Sequence, residues 1–591
     1  MTTNIFNKIS IKTKCVALAF AAMISATSCI DTTLPTDVLT SDQVKEMASS
    51  QEGLLNGIVS YMISYDSWGG QTHPVNDWGY PCQMFFRETL GGDFPALSSG
   101  YNYWYPVEAG TETRFTPCYT YRFYYNLVKC CNNLIGIVDP EDCSTLSRQY
   151  LGCALAYRAM AYLDMARLFE YKRTGVASVD SKADELGSWG LTVPIVTEDM
   201  TLEQIKQNSR AKFTDMYRFI ITDLNNAEKY IDGFSRASKT LPNKSVVYGL
   251  KARLYLELGT RFENSPEDLQ AMIESDSSSD TYDKMNVTSA RDCYSLAREY
   301  ARKAQVGYSI TTAEQWLNNE TGFNTPVDSW MWDIETTTKE QLGYIYCSFQ
   351  GTINSEADWS MARGYNAVRM IGSALYSMIE EGDWRRWSWI DPNYAGTDEG
   401  YARFTQQEIN GTKINLTNLT ADEWKALPAY TNTKFRYAPG GKSDYEVGML
   451  TDIPLMRVEE MKFIEIETTA YLDGLAAGTT ALRDFINTYR YTDGSYTARN
   501  PVSIPLFLSQ LMTQKRIEFW GEGINYFDLK RLRMQVRRSD NTNYEDQFLL
   551  DSMEGYVAPW MNFFILEYEY EMNPNIVPNP DTSGCIKATV R

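Results

Sequence analysis

Cys29 is the residue with the plainest chemical assignment. Lys8, Lys12 and Lys14 precede an apolar run from Cys15 to Ile24, and the small residues Ser25-Ala26-Thr27-Ser28 lead into the cysteine. A basic start, a short apolar stretch and a small-residue cut site make a secretory signal. The run is about half of what a membrane-spanning helix needs. A cysteine directly after such a site is where a bacterial lipoprotein is cut and acylated. The expectation is that residues 1–28 are removed and Cys29 becomes a lipid-bearing first residue. An ordinary signal with an incidental cysteine is the alternative, since Ala26 stands where Leu is usual.

The remaining chemistry-bearing types exclude more than they assign. His73 is the only histidine, so a histidine-dependent triad or a multi-histidine zinc site cannot form within one chain. Gly440-Gly441-Lys442-Ser443 lacks the earlier glycine of a phosphate loop, and no G-x-S-x-G elbow is present. A glycosidase needs only two carboxylates, but nothing singles out a pair among 75 acidic residues. Asp276, Asp280 and Asp283 could gather oxygens around calcium, without the Gly and Glu of an EF-hand loop. No cofactor or metal is otherwise expected.

Aromatic residues beside amides form the other candidate chemistry. They occur at Tyr101-Asn102-Tyr103-Trp104-Tyr105, at Asn76-Asp77-Trp78-Gly79-Tyr80 with Arg87-Glu88 beyond, and at Trp316, Asn318, Asn319, Trp330 and Trp332. Tyr and Trp pair a flat apolar face with a polar edge, which suits a wet binding surface.

The net charge of −20 disfavours nucleic acid, whose phosphates demand Lys and Arg, and disfavours docking on anionic lipid. No later apolar run is long enough to span a membrane, so attachment rests on acyl chains. With Cys15 and Cys29 set aside, nine cysteines remain at irregular spacing, which is not a disulfide framework. Cys130-Cys131 are expected to pack on a helix rather than pair.

Helices must position these groups. Apolar periodicity predicts them over 43–63, 119–138, 146–169, 214–231, 245–258, 290–304, 458–472 and 506–519. Thr214 reads as an N-cap and Gly259 as a helix stop. Paired helices with short connections resemble tetratricopeptide units, which stack because one pair cannot bury its apolar face alone. Between them, 65–117, 172–211, 259–289, 306–456 and 476–503 show weak helical pattern. The fold class expected is mainly α, a tetratricopeptide-like helix-pair scaffold with a large loop-rich subdomain containing minor β. Residues 29–591 should form one domain, with the scaffold at about 40–305 and 457–535 and the insertion at about 306–456.

Several phrases, in order, resemble the SusD/RagB family of outer-membrane lipoproteins: YRFYYNLVKCCNNLIGIV (121–138), YRAMAYLDMARLFE (157–170), YRFIITDLNNAEKYI (217–231), KSVVYGLKARLYLELG (244–259), GDWRR (382–386), TKFRY (433–437), IPLMRVEEMKFIEIETTAYLDG (453–474) and QKRIEFWGEGINYFDLKR (514–531). In the last, Gly521 and Gly523 permit a sharp turn. Asp528 reads as the cap of a helix beginning near Leu529, and Arg457 and Glu460 as buried pairs. The resemblance implies a lipid-anchored, cell-surface protein of a Gram-negative outer membrane. It would capture oligosaccharides without cleaving them and deliver them to a SusC-like TonB-dependent transporter. The same scaffold binding peptides or another nutrient is the alternative, and a glycan-processing enzyme a more distant one.

A sugar ring is held by an aromatic on its C–H face and polar groups at its hydroxyl rim. On that chemistry Trp104 is the first-choice platform, with Tyr101, Tyr103 and Asn102 beside it. Trp78, Trp316, Trp330 and Trp332 are further candidates. Trp384, Trp387 and Trp389 share the GDWRR neighbourhood and read as structural.

Overall fold

The computed structural model describes residues 48–64, 78–97, 115–342 and 348–585. Contacts divide the chain into Met1–Gln51 and Glu52–Arg591, and the architecture below is that of the second unit. The main helices are α1 (Tyr80–Thr89), α2 (Phe115–Ile135), α3 (Thr145–Phe169), α4 (Phe213–Tyr230), α5 (Lys244–Asn264), α6 (Ala290–Ala304), α7 (Val458–Leu472), α8 (Leu475–Tyr489), α9 (Ile504–Glu518) and α10 (Asn525–Arg531). From α2 to α8 each packs on the next, the succession that stacked helix pairs require.

Helix α3 lies at the centre. Ser144 caps it by accepting from the Ser147 amide, and Ala154, Ala156, Ala161 and Ala166 are all buried. Such a helix, buried on nearly every side with its charges Arg158, Asp164 and Arg167 paired, is stable only when covered all round. Gly152 lets α3 approach Ile231 more closely than a side chain would permit. Helix α5, capped by Asn243, runs through Gly259 to Asn264. Gly259 therefore ends nothing: a methyl group there would collide with the Tyr294 ring of α6. The rings of Tyr294 and Tyr471 stack at 4.0 Å and join α6 to α7. Helix α4 begins after Lys212 with no side-chain cap, so Thr214 lies inside it. Helix α8 occupies much of a stretch whose pattern reads as irregular, and Gly478 there admits Ala470 of α7.

Among the described residues, strand pairing is confined to two small ribbons. β1 (Trp330–Glu335) runs antiparallel to β4 (Asp452–Arg457), pairing Trp330 with Arg457 and Glu335 with Asp452. This ribbon ties the two ends of the 306–456 region to each other. β2 (Gln407–Ile409) and β3 (Thr412–Ile414) form a hairpin through Asn410-Gly411, both at positive φ, the turn that Asn-Gly favours.

The phrases spread along the chain meet in one buried network. Glu518 accepts from Arg385 at 3.0 Å, from Arg457 at 3.1 Å, and from Arg490 at 2.8 and 2.9 Å. Glu522 accepts from Lys434 at 2.7 Å and from Arg457 at 2.8 Å. All these side chains are buried. Burial alone would raise the Glu518 carboxyl, but Arg490 and Arg457, with Arg385, hold it well below the usual range. Gly521 and Gly523, at φ 78° and 71°, make the corner that brings Glu522 round. Asp528 caps no helix. It sits within α10 and pairs with Lys515 and Arg531. Glu460 pairs with Arg253 at 2.6 Å.

Candidate functional site

The structure moves the predicted platforms. Trp316, Trp330 and Trp332 are fully buried, so none presents a ring face to a ligand. The Trp316 indole donates to Ser388 Oγ at 2.8 Å and lies 4.6 Å from Lys434 Nζ, over the buried network. Trp330 stands in β1 beside Phe323. Trp332 donates to the Thr240 carbonyl at 2.8 Å and meets Tyr157 edge-on. Buried apolar area, with cation–π contact at Trp316, explains why these three rings are core. Asn318 closes a turn through the amides of Glu320 and Thr321, and Asn319 donates to Asn418. Trp78 is buried edge-on to Phe85. Arg87 donates to the Gly523 carbonyl and Tyr124, and Glu88 accepts the Gly523 amide. Tyr101, Asn102, Tyr103, Trp104 and Cys29 lie outside the described residues.

Of the described tryptophans, only Trp189 and Trp387 keep partly open surface. Arg173 covers Trp189 at 4.4 Å. Trp387 instead lines a cleft of about 360 Å³, within the size range of small-ligand sites. The turn Trp384–Ser388 and the helix Asp398–Thr405 position the cleft. In that turn Asp383 accepts the Arg385 amide. Arg385 faces the buried network, whereas Arg386 lines the cleft. Gly400 lets the helix press on the Tyr394 carbonyl and the Trp424 ring, where a methyl would collide. Tyr394 and Arg403 are thereby brought together, the guanidinium 3.9 Å from the ring centroid.

Polar groups surround the Trp387 ring. Arg386 donates to Asp391 at 2.9 Å and to the Ile379 carbonyl at 2.6 Å, and lies 4.5 Å from the Tyr376 ring. Burial pushes the Asp391 carboxyl up, but the Asn393 amide and Arg386 outweigh it and hold the group below its ordinary value. Asp391 therefore stays an acceptor and does not serve as a proton donor. The Trp389 indole, 0% exposed, lines the same cleft, and its Nε1–H meets no acceptor among the described residues. Tyr430 packs edge-on to Tyr376 at 5.4 Å and holds φ of 66°. A bulky residue there is strained by about 1–3 kcal/mol, and such residues gather at functional sites.

The cleft combines the Trp387, Tyr376 and Tyr394 rings with guanidinium donors and a fixed carboxylate acceptor. That set stacks on a ring face and hydrogen-bonds a hydroxyl rim. Sequence reading passed over Trp387. The signal was nonetheless present, since Trp387, Asp391, Asn393 and Tyr394 repeat the aromatic-beside-amide signature that picks out Trp104. Asp276 accepts the amides of Met285 and Asn286 and faces Arg218. Asp280 pairs with Lys284, and among the described residues no acidic, His or Cys cluster suits a metal.

Stacked helix pairs with a loop-borne cleft define a mainly α, tetratricopeptide-like class of protein. Residues 84–256 match the SusD-like family described as "Starch-binding associating with outer membrane". A SusD-like carbohydrate-binding protein of Bacteroides vulgatus is similar in structure, with TM-score 0.61 and 20% identity over 89% of this chain and 97% of its own. SusD-superfamily proteins of Parabacteroides distasonis (TM-score 0.59, 17% identity, 92% and 99% covered) and Bacteroides thetaiotaomicron (0.58, 16%, 92% and 100%) are similar too. No curated protein matches. Over residues 84–256 this chain is similar to the SusD-like family, and it shares its fold with these SusD-like structures. The Trp387 cleft falls outside the matched segment.

Proposed function

We propose that this protein binds oligosaccharides without cleaving them, with the Trp387 cleft as a stacking site. The observation that carries this reading is Trp387 itself. It is an incompletely buried tryptophan whose surroundings, Arg386, Asp391, Asn393 and Tyr394, are those a hydroxylated ring requires. Capture needs no cofactor. In this reading Cys29 carries lipid, the protein faces outward from the outer membrane, and a SusC-like TonB-dependent transporter receives the ligand. Trp104, with Tyr101, Tyr103 and Asn102, supplies a further aromatic platform.

Calorimetry with a glycan panel and a peptide pool, on protein starting after Cys29, tests the reading. The expected result is glycan binding, no released product, and at least about a tenfold loss for Trp387→Ala. Trp104→Ala measures the second platform. Binding confined to peptides, or the appearance of cleaved sugar, overturns the proposal. Mass spectrometry of the purified membrane form tests the lipid, which Cys29→Ala should abolish.

A further inference from the structure

A second concavity, of about 390 Å³, lies against α2. Tyr121 and Tyr125, one turn apart on that helix with ring centroids 4.6 Å apart, line it. Tyr568 and Met572 of the short helix Glu567–Met572 line it as well, and Met572 is 79% exposed. The Tyr125 hydroxyl donates to the Pro194 carbonyl at 2.7 Å, which fixes that ring. Burial raises both the Tyr121 and Tyr125 phenols, so they remain neutral and their ring faces electron-rich.

Glu569 is half-buried in this groove, and its carboxylate makes no ion pair or hydrogen bond to a described residue. Burial alone moves its carboxyl, upward. The Asn126 side chain also lines the groove and makes no hydrogen bond to a described residue. Two cations border the same space. Lys206 is paired with Glu203 at 3.1 Å, and Arg122 also lines a neighbouring crevice with Tyr61 and Gln83. A carboxylate without a cation, among tyrosine faces, is complementary to a positively charged ligand with an apolar body.

We propose that this groove is a separate binding site for a small organic ammonium ion, its alkyl body against Tyr121, Tyr125 and Tyr568 and its charge against Glu569. The site shares no residue with the Trp387 cleft, so the two readings stand or fall separately.

Calorimetric titration with choline, and with its uncharged isostere 3,3-dimethylbutanol, tests the proposal on the same protein. Choline should bind one per chain, at least about tenfold more tightly than the isostere, and more weakly as salt rises. Glu569→Gln should abolish that preference. Tyr568→Ala, at a position 45% exposed, should weaken choline binding with an unchanged melting curve. Trp387→Ala should leave choline binding unchanged. Equal binding of the isostere, no binding of choline, or an unaffected Glu569→Gln variant overturns the assignment.

Discussion

Arg385 and Arg386 are neighbours in the chain, and each belongs to a different region. Arg385 is fully buried between Asp383 and Glu518, with its charge balanced inside the protein. Arg386 is partly open and shares Asp391 with a cleft that has room for a ligand. The network around Glu518 and Glu522 matches each of its cations with an acid. The cleft instead keeps Arg386 and Trp387 partly open and Asn393 exposed. Charge that is satisfied internally holds the scaffold, and polar groups left at the surface are available for recognition.

The largest effect that tests this contrast is loss of the shared acid. Glu518→Ala leaves Arg385, Arg457 and Arg490 without their common partner and should destabilise by at least about 3–5 kcal/mol in chemical denaturation, or prevent folding. Stability within about 1 kcal/mol of the parent breaks the comparison. Arg369 gives the converse. It is buried with no acceptor among the described residues, faces only the Phe85 ring at 4.9 Å, and is lowered to about 9 by burial. Arg369→Met should raise stability by about 1–3 kcal/mol, because an unpaired buried charge is a liability that matched ones are not. On the cleft side, Arg386→Met should weaken glycan binding severalfold while shifting stability by about 1 kcal/mol or less.

The smallest effect is on pH dependence. Glu518 is depressed in the folded state, so its contribution is present above the ordinary carboxylate range and is lost only as pH falls below it. Asp452 behaves oppositely. Burial, with Asp333 and Glu335 adding, raises it to about 8. The folded state holds that proton more tightly than the unfolded one, so stability falls as pH rises from about 4 through about 8. Asp452→Asn should flatten this decline in melting temperature between those pH values. An unchanged slope would count against an uncompensated carboxylate on the ribbon.

Much of the scaffold could be read from residue order. The periodicity at 290–304 and 458–472 predicts α6 and α7 to the residue, because apolar spacing and helix packing state the same constraint there. Gly259 was misleading because a glycine that ends a helix and one that admits a neighbour's ring are alike in one dimension. Helix α8 was hidden by its small residues for the same reason. Arg457 was legible as a buried partner, although its acids Glu518 and Glu522 lie far along the chain. The binding surface was the least legible part. Trp316 and Trp387 both stand beside polar residues, and only the cations brought beneath Trp316 by distant segments make it core.

The shared acids also have an order. Arg385, Lys434, Arg457 and Arg490 all precede Glu518 and Glu522, so a chain emerging from its N-terminus carries these cations before their common counter-charges exist. The knot between the helical stack and the loops cannot be tied until the last tenth or so of the polypeptide has appeared. Long-range closure of this kind is slow. The delay keeps the emerging chain pliable until its last segment has been made.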